Sequence, residues 1–419
     1  MLHNVKDNYI ISVKDHVSQF EEKSFRKLAS NDFKSWPSPR EETWRLSRLG
    51  VLSRKEITPI TPNFKKQISS VSKFKGSKII RFVDGALRED LSSKLPPGAS
   101  LNILGEEDSL RCFHKFKDSN LKDHPSTNVS FSCTPSIVKL TIEKDVKIRD
   151  LFEIIYEGGD DDSSVHPALY IELKDNSSIT IIERFNHLSS LIMPLQLVEL
   201  KKNASINSLK IFNDNQQSYN LSANCTFLSE KSNYNSFSLI KGGLFTRSET
   251  HAYLKGENCN LNLNGVYLSS KNQHHDLTTA IYHDVPNCTS KQIVRGVLGG
   301  KSTGVFQGKV RVAPDAQKTD GQQMSRAILL SENAIANAKP ELEIYADDVI
   351  CAHGATVGEI DDDQLFYLKS RGISEKKAKQ ILITAFLKDI INESVEESIQ
   401  NYVFEEAELA LSEIISKEI

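Results

Sequence analysis

Residues 258–268 read NCNLNLNGVYL. Cys259, Leu261 and Leu263 alternate with Asn260, Asn262 and Asn264. A period of two places the apolar side chains on one face of a strand and the asparagines on the other. The same short β-rich runs recur on either side: SIVKLTI at 136–142, ALYIEL at 168–173, SSITII at 177–182 and GVFQGKVRV at 304–312. Asn, Gly, Asp and Ser separate them, and helical periodicity is scarce from about 136 to 358. Long series of short strands fit a sandwich, a barrel or a solenoid. Asn-Gly hairpins at regular spacing are missing, which favours the solenoid, although no clean repeat period stands out.

The flanks have a different period. At 8–29, NYIISVKDHVSQFEEKSFRKLA carries Ile10, Val13, Val17, Phe20, Phe25 and Leu28 in steps that fit one helical face. Pro37 and Pro39 interrupt before a new helix near Glu41. KIIRFVDGALRED reads as strand, Asp-Gly turn, strand. After Asp363 the helical period returns. Ser374 stands at an N-cap position, and Ala378, Ile381, Leu382, Ala385 and Phe386 form the expected buried face. A second amphipathic helix carries Val395, Ile399, Val403, Leu411, Ile414 and Ile415, with an acidic polar face. The expected divisions are 1–135 helical and mixed, 136–360 the β core, and 361–419 a helical tail.

The 419 residues are 39% hydrophobic, enough for a sizeable core, and 52 Lys+Arg against 55 Asp+Glu give a net charge of −3. That balance lacks the footprint of a nucleic-acid binder. The six cysteines form no C-x-x-C pair and no disulfide framework. The charged start and the lack of a long apolar run point to a cytoplasmic protein with no membrane partner.

Most motifs that invite a chemical reading fail on inspection. GGKSTG at 299–304 has Arg295 where a P-loop needs its first glycine, and strands flank it where a helix is required. SRGISEKKAKQIL reads as an ordinary capped helix. His251, His274, His275 and His283, with Cys259 and Cys288, have no recognised zinc spacing. ADDVICAHGATVG at 346–358 is different. If VICAH is a strand, Val349, Cys351 and His353 share a face, with Gly354 ending the strand and exposing His353. Thiolate and imidazole both suit iron. Two donors make half a site, and a buried cysteine beside a surface histidine is the ordinary reading of that spacing.

The wording of several stretches carries further. VPNCTSKQIVRGVL, GVFQGKVRV, AQKTDGQQMSRAILLS, KPELEIYADDVICAHGATVGEID and DQLFYLKSRGI together resemble the SufB/SufD family of the SUF iron–sulfur cluster assembly system. PREETWRL and FVDGALREDLSSKLPPGASL resemble its upstream segments. Gly354 follows His353 where SufB-like chains have Glu, and no cysteine lies between Cys288 and Cys351. The resemblance is therefore to the SufD-like branch.

That resemblance implies a mostly β fold with helical ends: a right-handed parallel β-helix (β-solenoid) core flanked by N- and C-terminal helical domains. It implies a non-enzymatic scaffold that pairs with a SufB-like subunit and a SufC-like ABC ATPase, with a homodimer possible when alone. His353 becomes a ligand at the subunit interface for a transient, shared iron–sulfur cluster, and Cys351 a less secure one. No cluster is expected to stay on the isolated chain. The ATPase is expected on the segment holding Gln364, Leu365, Phe366, Tyr367, Leu368, Arg371 and Gly372. The competing readings are a solenoid enzyme acting on carbohydrate, for which adjacent Asp347 and Asp348 make a poor acid/base pair, and a structural adaptor with an incidental histidine.

Overall fold

The computed structural model describes residues 7–418, apart from 22–23, 67 and 69–71. Residues 1–6, on which the reading of the charged start partly rests, and 22–23, inside the segment read as one helix, lie outside the described residues. The β core is a parallel solenoid of about eight coils. Among the described residues it has two long sheets, one of 12 strands and one of 10. In the second sheet, Ser178, Ser205, Asn233, Asn260, Thr289, Asp320 and Ile350 occupy equivalent register positions, in steps of 27 to 31 residues. The unequal step explains why the sequence shows no clean repeat.

The opening stretch behaves as its alternation requires. Its strand is Asn260–Ser269, with Leu261 and Leu263 buried in the lumen. The asparagines stack outside: Asn235 donates to Asn207 at 3.1 Å and Asn262 to Asn235 at 2.6 Å. Inside, rings stack along the axis: Tyr156 on Phe185 at 4.5 Å, then Phe185 on Phe212 at 4.7 Å. The Asp-Gly turn is present too. Asp84 and Gly85 take positive φ (51° and 83°) between antiparallel Lys78–Val83 and Ala86–Leu87. GGKSTG is a corner between strands, with Gly300 at φ 62°.

Among the described residues there are seven α-helices, most of them packed on the outer faces of the two sheets. The first N-terminal segment forms two helices, α1 (Asn8–Val17) and α2 (Phe25–Asp32). Their buried apolar side chains are Tyr9, Val13, Val17, Phe25 and Ala29, while Leu28 is exposed. Near Glu41 only a short turn forms, Glu42–Trp44. With α3 (Glu106–Lys117) and α4 (Pro125–Cys133), α2 packs on the first sheet through Phe113, Phe116 and Phe131.

At the other end come α5 (Asp362–Ser370), α6 (Glu375–Ser394) and α7 (Glu397–Glu418). All the apolar positions expected for the last helix are buried. The face expected for α6 is corrected. Ala378 is buried, but the rest of the contact runs through Ile383, Leu387, Ile390 and Ile391, which meet Phe237, Leu239 and Val266 of the second sheet. Ile381 is exposed, and Phe386 is partly covered beneath the Arg295 guanidinium, 4.9 Å from the ring centre. This helix has apolar residues on more than one side, so the sheet and α7 decide which side is covered. Ser374 is at the N-cap, without a side-chain cap bond.

Four buried histidines give the fold a pH signature. Burial pushes His124 and His283 down to about 4, and His166 and His275 down to about 3. In the unfolded chain they titrate near about 6.5. Between those values the unfolded state takes up the proton first, so stability is complete above about pH 6.5 and falls as pH drops. Each histidine contributes about 1.4 kcal/mol per pH unit within its window. A thermal midpoint that falls steeply between pH 6.5 and 5, above the ordinary carboxylate range, is the expected result. A flat midpoint there would contradict neutral burial.

Candidate functional site: the open end of the solenoid

Both sheets stop at the same end. The first closes on Ile335–Ile344, bonded to Thr303–Val312; the second closes on Ile350–Gly358, bonded to Asp320–Leu329. Among the described residues neither terminal strand has a further neighbour in its sheet. Each therefore presents a row of free N–H and C=O groups, a template for pairing with another chain. Large apolar side chains accompany that edge: Ile335, Ile344, Tyr345, Ile350 and Val357 are all exposed.

Cys351 and His353 belong to this last strand, two residues apart and on one face. Cys351 is half-buried and packs against the luminal core. It sits opposite Gly321, where an added Cβ would come within 3.3 Å of the Cys351 sulfur. Burial raises the Cys351 thiol above its ordinary range, and the nearby charge of Asp320 adds to the rise. A metal at that sulfur must therefore displace a proton. His353 is exposed and makes no hydrogen bond to the described residues. The strand does not end at Gly354, as expected from sequence, but continues to Gly358. His353 is open because its strand is the last of the sheet.

No group of three or more His, Cys, Asp or Glu side chains among the described residues is placed to hold a metal ion. The pair is thus two donors, fewer than the four protein ligands of an ordinary iron–sulfur cluster. Asp347 and Asp348 lie on an exposed corner before the strand. The Asp348 carboxylate is taken by Lys318, and its N–H donates to Gln317 at 2.9 Å. They form no facing carboxylate pair across a cleft.

The tail segment adjoins this end in sequence. Asp361 caps α5, accepting from the Gln364 N–H at 2.8 Å. No residue of α5 is buried. Leu365 and Leu368 are partly covered, whereas Gln364, Phe366 and Tyr367 are exposed, with Phe366 at 73% and Tyr367 at 57%. Arg371 lies over the Tyr367 ring at 5.2 Å, and Gly372 turns the chain at φ 85°. Leu365, Phe366 and Leu368 are therefore not anchors within this chain's own core.

The histidine group of the central strands scatters. His275 and His283 are luminal and bond Ser269 and Ser290, each at 2.8 Å. His274 bonds Ser47 at 2.9 Å. His251 bonds Glu249 at 3.0 Å in a cleft of 490 Å³ between the N-terminal segment and the first sheet, bordered by Trp44, His124 and Tyr282. Beneath it Arg247 is fully buried, with Glu249 at 2.6 Å and Asp276 at 2.9 Å, under the Trp44 ring. Sequence reading missed this ion network. Its members are two residues apart on one strand or a coil apart on the next, and Trp44 reaches it from about 200 residues upstream.

Comparison with known proteins gives a consistent picture. Residues 155–386 match the family model described as SUF system FeS cluster assembly, SufBD core domain. The chain is 33% identical over 248 residues to the iron-sulfur cluster assembly protein SufD of Escherichia coli, covering 58% of this chain and 59% of that one. It is 34% identical over 178 residues to protein ABCI7, chloroplastic, of Arabidopsis thaliana, covering 41% and 38%. It is 34% identical over 148 residues to SufD of Bacillus subtilis, covering 35% and 34%. The match thus spans from about a third to under two thirds of these relatives' length. No helix among the described residues is long and apolar enough to cross a membrane.

Proposed function

The chain belongs to the SufBD family of the SUF system, and from that premise we propose that it is a non-catalytic scaffold subunit for iron–sulfur cluster assembly, SufD-like in role. The observation that carries this reading is the pair Cys351 and His353 on a terminal strand with one free edge, the imidazole exposed and unbonded among the described residues. The solenoid, 136–360, presents that strand to a SufB-like subunit, which completes the donor set. The tail, 361–419, holds a SufC-like ABC ATPase through the exposed face of α5.

The cluster is the cargo of such a complex. His353 offers a neutral ring nitrogen, and Cys351 offers a thiolate once a metal displaces its proton. The edge strand and its apolar side chains position the partner's donors beside them. Two donors cannot hold an ordinary cluster alone, so the cluster is transient and shared. A second copy of this chain can cover the same edge when the SufB-like partner is missing.

The test is reconstitution. The chain, purified anaerobically, given ferric iron and sulfide and then desalted, is expected to be colourless. The same mixture with a SufB-like protein and the ATPase is expected to develop iron–sulfur absorption. A stable brown colour on the monomeric chain would overturn the shared site; oligomeric state is measured alongside, because a homodimer pairs two half-sites.

A further inference from the structure

A file of amides runs through the lumen to the strand that carries His353. Gln292, Gln323 and His353 stand directly opposite one another on three successive parallel strands. Their side chains therefore leave the same face about 4.8 Å apart. Gln292 is fully buried and Gln323 is 3% exposed. The Thr279 hydroxyl, from the other sheet, donates to Gln292 Oε1. Beyond that bond the file is unsatisfied: among the described residues Gln292 Nε2 and both polar atoms of Gln323 have no hydrogen-bond partner. Buried side-chain amides are rarely left so. An apolar residue of the same size would fill this part of the lumen without that penalty. On its other side Gln323 faces His353, whose side chain also makes no hydrogen bond to the described residues.

We propose that Gln323 is the positioning residue for His353. Its Oε1 accepts the N–H of the His353 ring, and its Nε2 donates to Gln292 Oε1, which has a second lone pair beside the Thr279 proton. The file is then satisfied from Thr279 to the open end, apart from Gln292 Nε2. With one ring nitrogen holding its proton against Gln323, the other is left unprotonated and faces outward, where a metal donor is needed. Ligating histidines commonly have their second nitrogen fixed this way. The inference rests on the reading of His353 as a ligand.

The test uses the full chain and the assembled complex, with ferric iron and sulfide as probes. Long-range ¹H–¹⁵N spectra of the full chain report the His353 tautomer. One dominant tautomer is expected in the wild type and a mixture in Gln323→Leu. In the complex, Gln323→Leu is expected to leave composition unchanged and lower cluster formation about 10–100-fold. Gln323→Glu keeps an acceptor for the same N–H and is expected to recover part of the loss; it also keeps the test open should the leucine variant fail to fold. A wild-type tautomer and wild-type cluster yield in Gln323→Leu, with the yield lost in His353→Ala, would overturn this inference alone. Wild-type yield in His353→Ala would instead overturn the reading beneath it.

Discussion

Phe366→Ala combined with Tyr367→Ala is expected to abolish ATPase binding while leaving the fold intact. The two rings are 73% and 57% exposed on a helix that buries no residue of its own. Exposed aromatics of this kind are the usual anchors of an interface, and each costs about 2 kcal/mol or more when truncated. That is roughly 30-fold in affinity per residue. Surface truncation changes stability by about 0.5 kcal/mol or less, so an unchanged thermal midpoint accompanies the loss. Deleting the tail after Asp363 is a poorer experiment, because it uncovers the second sheet. Ile383, Leu387, Ile399 and Val403 are buried against that sheet's Leu209, Phe237 and Val266 cluster. Titration of the double variant with the ATPase decides the point, and undiminished binding would move the docking surface elsewhere.

The second large effect belongs to the open end. Ile350→Lys with Val357→Lys places two ammonium groups along the terminal strand, at positions 68% and 47% exposed. Charged side chains on an edge strand are a common natural defence against strand addition. Both positions are already in contact with water, so the chain itself should fold unchanged. Pairing with the SufB-like subunit is expected to fall by more than about 100-fold, since burying each charge unpaired costs several kcal/mol. Any self-association of the isolated chain through this edge should disappear with it. Co-elution by size exclusion with light scattering measures both, and retained pairing would place the interface on another surface.

What the sequence revealed, and what it hid, follows from the range of the interactions. The strand around Leu261 and Leu263 was legible because alternation is a local signal, and the burial of Val395, Ile399 and Val403 because a helical face is one too. The covered side of α6 was not legible, because a helix with apolar residues at Ile381, Ile383, Phe386 and Leu387 has more than one candidate face. The solenoid period was obscured by coils of 27 to 31 residues. Cys351 and His353 were found because they are neighbours in one short motif. Gln323 was not, since it meets His353 only through strand register, 30 positions away. Gly354 does not end the strand for a similar reason: what exposes His353 is its strand's place at the end of the stack.

The most direct measurement is the iron and acid-labile sulfide content of the assembled complex carrying His353→Ala, purified anaerobically beside the wild type. His353 is exposed and unbonded among the described residues, so its truncation should alter neither the fold nor the composition of the complex. His353→Cys, which keeps a soft donor, should retain part of the yield. A proposed half-site at the open end leads to an intact variant complex with its cluster content reduced at least tenfold. An intact His353→Ala complex with wild-type iron and sulfide would contradict the account.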